Sequence, residues 1–149
     1  MLAALKHDAA RLLEQLLNDP ALPQPKPELR PGEERAGYRS KAVLLNLGWI
    51  ELRRPYLYDP SRGQGRCPLD SAWGFVDSYS PEVLRLGCRA AALAGSYEAA
   101  SQDLLTYAGL QIDARQLQRL VSQVAPVMNR WRQGQGPAPQ TTAGEVMCV

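Results

Sequence analysis

Residues 96–124 constrain the fold more than any other stretch of this chain. They read as a short helix, a turn at Gly109 and a second helix. Ser96 suits the N-cap of the first helix, because its side-chain oxygen can accept from an unpaired amide of the first turn. Gly109 suits the left-handed position just past that helix's end. Asp113 followed by Gln116 has the pattern of a capping box opening the second helix. Leu104, Leu105, Ala108, Leu110 and Ile112 can pack beneath Leu117, Leu120, Val121 and Val124. Arg115, Gln116, Arg119, Ser122 and Gln123 then remain outside. Arg and Gln make bidentate contacts to guanine and adenine edges in a major groove. The pair is therefore a candidate helix-turn-helix. Two short helices about a glycine turn also occur in proteins that touch no nucleic acid.

The flanking sequence supplies a frame for this pair. Ser80-Pro81-Glu82 combines an N-cap, a proline at the first helical position and an acid at the positive end of the helix dipole. Val83, Leu84, Leu86, Gly87, Ala90, Ala91, Leu93 and Ala94 follow, and their small size lets a neighbouring helix approach closely. The second half of the chain thus predicts three helices near 81–94, 97–107 and 114–125. Pro126 ends or kinks the last of them, with residues 127–132 continuing helical for a turn or two. Residues 133–149 read as a flexible tail, closing on the short apolar run Val146-Met-Cys-Val149.

The first half has a different grammar. Leu2, Leu5, Ala9, Leu12, Leu13, Leu16 and Leu17 recur at helical spacing, which predicts an amphipathic helix stopped by Asn18-Asp19-Pro20. Its leucine stripe needs a partner, either the rest of the chain or another copy. Pro20, Pro23, Pro25, Pro27 and Pro31 make residues 20–37 a semi-rigid linker. From Tyr38 the period changes to that of strands. Lys41–Gly48 and Trp49–Tyr58 form a hairpin turned at Asn46-Leu47-Gly48, in which Ile50, Leu52 and Arg54 alternate with Trp49, Glu51 and Arg53. Arg39, Lys41, Arg53, Arg54, Arg62 and Arg66 cluster here among Tyr38, Trp49, Tyr56 and Tyr58. Arg beside aromatics can follow a phosphate backbone or stack on bases. The alternative is a charged, solvated hairpin with its aromatics in the core. Asp59–Asp70 is a loop broken by Pro60, Gly63, Gly65 and Pro68. Gly63 and Gly65 lack the Gly-Lys-Ser/Thr of a phosphate loop. Leu69–Phe75 predicts about one helical turn, ended at Gly74.

Composition narrows the class. A chain of 149 residues that is 45% hydrophobic can bury a core and is not disordered. The net charge of +2 is too small to name a partner, but the basic excess falls in residues 26–66 and 113–133, where a nucleic-acid face would need it. Three cysteines without a Cys-x-x-Cys pair argue against a disulfide framework and fit a reducing compartment. Charge comes too early for a signal peptide, and no apolar run approaches the ~20 residues of a membrane span. A cytoplasmic location is expected.

The Leu47-Gly48 hairpin leading to Arg53-Arg54-Pro55-Tyr56-Leu57-Tyr58, the loop with Gly63-Gln64-Gly65 and Pro68-Leu69-Asp70, Trp73-Gly74-Phe75 and the helix pair occur in a fixed order. Together, from about Arg39 to Trp131, they resemble the N-terminal part of Kra-type insertion-sequence transposases. The resemblance implies a DNA-recognition region that precedes a ribonuclease-H-like core, in which two Asp and one Glu hold two divalent metals. Two departures matter. Where that family often has Cys-x-x-Cys before the Gly-x-Gly, this chain has Asp59 and Arg62, which cannot supply the thiolates of a structural zinc site. The chain also reaches Val149 where the strand bearing the first catalytic Asp is expected to begin. No zinc or other cofactor and no catalytic residue is therefore expected, and the catalytic metals would belong to the core. Asp70, Asp77, Glu82, Glu98, Asp103 and Asp113 have no spacing that demands two-metal chemistry. His7 falls on the polar flank of the first helix.

The sequence thus predicts an α+β, mainly α protein. Its segments are the amphipathic helix (1–19), the proline-rich linker (20–37), the hairpin with its degenerate zinc-knuckle-like loop (38–70), the helix-turn-helix region (71–132) and the tail (133–149). The expected activity is binding of double-stranded DNA, at the ends of an insertion element, through Arg115, Gln116, Arg119, Ser122, Gln123, Arg53, Arg54, Arg62 and Arg66. A homodimer through residues 2–17 is an accompanying expectation; a membrane or small-molecule partner is not. The alternatives are a small helix-turn-helix regulator of transcription and a helical interaction module without DNA binding.

Overall fold

The computed structural model describes residues 1–24 and 26–133, with the side chains of 128–132 left aside. The tail and its closing apolar run lie outside the described residues. The fold is α+β and mainly α. Helix α1 (Leu2–Leu17) is followed by strands β1 (Glu34–Leu45), β2 (Gly48–Asp59) and β3 (Gln64–Arg66). Helices α2 (Pro68–Ala72), α3 (Pro81–Leu93), α4 (Tyr97–Asp103) and α5 (Ala114–Arg132) complete it. The sheet is antiparallel in the order β1-β2-β3.

Strand β1 starts at Glu34, inside the segment read as linker. The prolines end at Pro31, so nothing forbids ladder bonds from Glu34 onward. A bulge between Arg35 and Tyr38 absorbs the irregular start. The tip is a two-residue turn, Asn46-Leu47, closed by the Leu45–Gly48 pair. Gly48 has φ +136°, and a Cβ there would approach Ala10 of α1 at 3.8 Å.

The hairpin is buried on both faces near its tip, each face in a different core. Val43, Ile50 and Leu52 join Ala10 of α1 and Leu69 of α2, with Leu17, Trp73 and Phe75 at the margin. Leu44 points the other way, into the helical core of Tyr79, Val83, Ala100, Leu104, Leu110, Ile112, Leu117 and Leu120. Trp49 packs at 6.1 Å from Tyr79 on that side. Beyond the reach of β3, which pairs only with Leu57–Asp59, the open edge of β2 is covered by α1. The Glu14 carboxylate accepts from the Glu51 amide at 2.8 Å, and the Asn18 side chain both accepts from the Arg53 amide and donates to the Glu51 carbonyl, at 2.7 Å each. Side chains thus satisfy backbone groups that an edge strand would otherwise present to another chain.

The helical half follows its local signals closely. Ser80 and Ser96 accept from the amides of Val83 and Ala99. Helix α4 passes into a single π turn over Leu104–Ala108, and Gly109 at φ +62° ends it. The Leu110 amide returns to the Leu104 carbonyl at 3.1 Å, the wrap expected after a left-handed glycine. Gly87 brings α3 against α5, since a Cβ there would lie 3.0 Å from the Leu117 side chain. Pro126 does not end α5, which runs on to Arg132; one missing amide in a 19-residue helix is outweighed by the bonds on either side. Lys6 of α1 reaches across to the Ala108 carbonyl, and to that of Asn46 at 3.2 Å. One ammonium thereby ties α1, the hairpin tip and the end of the π turn together.

Candidate nucleic-acid interface

Helix α5 begins at Ala114, directly after Asp113, whose carboxylate accepts from the Gln116 amide at 2.8 Å. Only half of the expected capping box forms. The Gln116 side chain does not return to Asp113 but accepts from the Tyr79 hydroxyl at 3.2 Å. Leu117 and Leu120 are buried beneath the helix, while Arg115, Gln116, Arg119, Ser122 and Gln123 are exposed. The five are not equally available. Arg119 donates to Asp77 Oδ2 at 2.7 Å, and Gln123 donates to the same oxygen at 3.3 Å. The Ser122 hydroxyl turns back to the Gln118 carbonyl at 2.8 Å. Arg115 has no hydrogen bond or ion pair among the described residues.

Asp77 is the organiser that the sequence reading passed over. It lies in the Gly74–Ser80 turn with φ +53°, a left-handed conformation that Asp tolerates better than most residues. Lys41 donates to its backbone carbonyl. Arg119 first, and Gln123 after it, hold the Asp77 carboxyl below its ordinary value. The only advance signal was Gly74, which marked a turn without saying what the turn would present.

The hairpin arginines divide between two faces and two roles. Arg54 was expected among the exposed DNA contacts, but its side chain is buried. It is 6% exposed and ion-paired to Asp70 of α2, with Lys41 at 3.9 Å from the same carboxylate oxygen. The alternation that buries Ile50 and Leu52 carries Arg54 inward with them. Arg39 lies on that face and stacks over the Tyr56 ring at 4.0 Å. Gly65 is required there, because a Cβ would fall 1.8 Å from the Tyr56 hydroxyl. Arg53 faces the opposite way, over Tyr38 at 4.5 Å. Arg62 is exposed at the loop tip, 3.7 Å from the Asp59 carboxylate.

Arg66 is committed to Glu33 through two bonds of 2.6 and 2.8 Å. The pair holds the Glu33 carboxyl at about 2, down from its ordinary 4.5. A lowered carboxyl stabilises the fold fully above its ordinary value and loses that contribution as pH falls toward the folded value. Thermal unfolding between pH 5 and 2 should therefore fall off more steeply for the native chain than for Glu33→Gln. Parallel curves would show that the pair contributes nothing.

What the fold brings together at Asp77 is Lys41 of β1, on its backbone carbonyl, and Arg119 of α5, on its carboxylate, with Arg115 one helical turn before Arg119. Arg53, Arg62 and Arg66 stand apart from it. Among the described residues no cluster of three or more His, Cys, Asp or Glu side chains is placed to hold a metal ion, and no helix is long and apolar enough to cross a membrane. Neither the known protein families nor the curated proteins include a match to this chain.

Proposed function

We propose that the chain is a DNA-recognition unit of the insertion-sequence transposase type, binding duplex DNA at element ends through α5 and the neighbouring Lys41 of β1. One observation carries this reading. Arg115, Arg119, Ser122 and Gln123 form a polar row on the solvent side of a helix whose other side is locked into a three-helix core. A rigid helix with Arg and Gln along one flank can read base edges. Lys41, which meets the same Asp77 as Arg119, supplies a phosphate contact beside it.

Asp77 then acts as an occupant that DNA displaces. Its carboxylate occupies the donors of Arg119 and Gln123 in the free protein. The contact is exposed, so displacing it costs no more than about 1 kcal/mol. Asp77→Asn removes the competing charge and retains a residue that accepts positive φ. It should tighten binding to a random-sequence duplex by about two- to five-fold. The gain should vanish in an Arg119→Ala background. A gel shift in which Asp77→Asn weakens binding, or helps equally without Arg119, would break the link between Asp77 and α5.

A further inference from the structure

We propose that Tyr79 sets which base edge Gln116 reads: its hydroxyl turns the carboxamide oxygen toward the protein, so Gln116 meets DNA as a donor and selects guanine over adenine. This rests on the reading of α5 as the recognition helix. Gln116 lies in the first turn of α5, and the N-terminal residues of a recognition helix are those that contact base edges. Arg119 and Gln123 follow on the same stripe of the helix. The Gly74–Ser80 turn holds all three side chains. Asp77 takes Arg119 and Gln123, and Tyr79 takes Gln116.

The two holds differ in kind. Asp77 is exposed, so DNA can displace it. Tyr79 is 6% exposed and belongs to the helical core. Its amide and carbonyl both bond to Val76, at 3.0 and 3.1 Å, and its neighbours Ser78 and Ser80 bond to Leu44 of β1. The hydroxyl is therefore placed by the fold, and Gln116 comes to it. Burial pushes the phenol above its ordinary value, with Asp113 adding to the effect, so the hydroxyl keeps its proton. A phenol donates more readily than it accepts, and an amide oxygen is a strong acceptor. The bond thus runs from Tyr79 to Gln116 Oε1, at 3.2 Å. A carboxamide is planar, with oxygen and nitrogen on opposite arms. The arm turned to Tyr79 is the oxygen, and the arm turned away is Nε2, which has no hydrogen-bond partner among the described residues. Hydrogen-bond matching then selects the base. The bidentate contact of Gln to adenine needs a donor for N7 and an acceptor for the N6 amine together, whereas guanine shows two acceptors, N7 and O6.

Selection of bound duplexes from a random-sequence library, run on the full chain and its variants, tests this. Gln116→Ala should erase the preference at one base pair and leave the others. At that pair the native chain should favour guanine over adenine by about five-fold or more. Tyr79→Phe keeps the ring in the core and frees the carboxamide to turn, so adenine should draw level with guanine there and nowhere else. Gln116→Glu still accepts from Tyr79 but has nothing to donate, so guanine should be lost at that pair and cytosine, whose N4 donates, gained. This surface variant decides the matter if circular dichroism shows that Tyr79→Phe does not fold. Adenine as the native choice, a guanine preference that neither Tyr79→Phe nor Gln116→Glu moves, or a change spread evenly over all pairs overturns the proposal. A native chain that enriches no sequence overturns it together with the reading on which it rests.

Discussion

Replacing Asp70 by alanine should destabilise the fold by about 3–5 kcal/mol, the cost of leaving a buried charge without its partner. The Arg54 side chain is 8% exposed, and Asp70 is its only ionic partner among the described residues. Removing the carboxylate strands a guanidinium between α2 and β2. Removing Arg54 instead is expected to cost less, about 2 kcal/mol, because Asp70 is 28% exposed and Lys41 still approaches it at 3.9 Å. The pair is also incompletely satisfied, since Arg54 Nε and Asp70 Oδ1 have no hydrogen-bond partner among the described residues. Arg54→Met with Asp70→Leu should therefore recover most of the loss of either single change, as buried ion pairs often tolerate apolar replacement. Urea denaturation reads all three as midpoint shifts at constant slope. A loss under about 1 kcal/mol for Asp70→Ala would mean that the guanidinium reaches water.

Arg54 also marks where the sequence could be read and where it could not. Strand alternation already assigned it to the face of Ile50 and Leu52, yet its charge placed it among the exposed arginines. Its partner is 16 residues away in another element, and no local pattern announces such a pairing. The helix signals were legible because they are local: Ser80, Ser96, Gly109 and Asp113 act within a turn of their own positions. The same locality explains the misses. The π turn after Asp103 differs from an α-helix only in that each hydrogen bond spans five residues in place of four, which composition does not encode. The left-handed Asp77 is set by what surrounds it, and its contact with Arg119 spans 42 residues. The leucines of α1 predicted the helix, but not which of them would meet the hairpin.

The second large effect falls on DNA binding. If Arg119 reads a base edge, Arg119→Ala should cost about 1–3 kcal/mol on the preferred sequence and relax specificity at one position. Arg115→Ala should act more evenly across sequences if that side chain meets a phosphate. Neither change should alter stability much, since Arg115 is unpaired among the described residues and the Arg119–Asp77 contact is exposed. Arg54→Met with Asp70→Leu should leave DNA binding intact, which separates the buried arginine from the exposed ones.

The central claim is that the outer face of α5 meets the DNA backbone and bases. Its most direct test is fluorescence anisotropy of a labelled random-sequence duplex, titrated with the full chain over a range of salt concentrations. Affinity should fall linearly with salt on logarithmic axes, and Arg115→Ala with Arg119→Ala should weaken binding and flatten that slope by about one, the share of the Arg115 phosphate contact. No binding at low salt, or a double variant with unchanged affinity and slope, would contradict it.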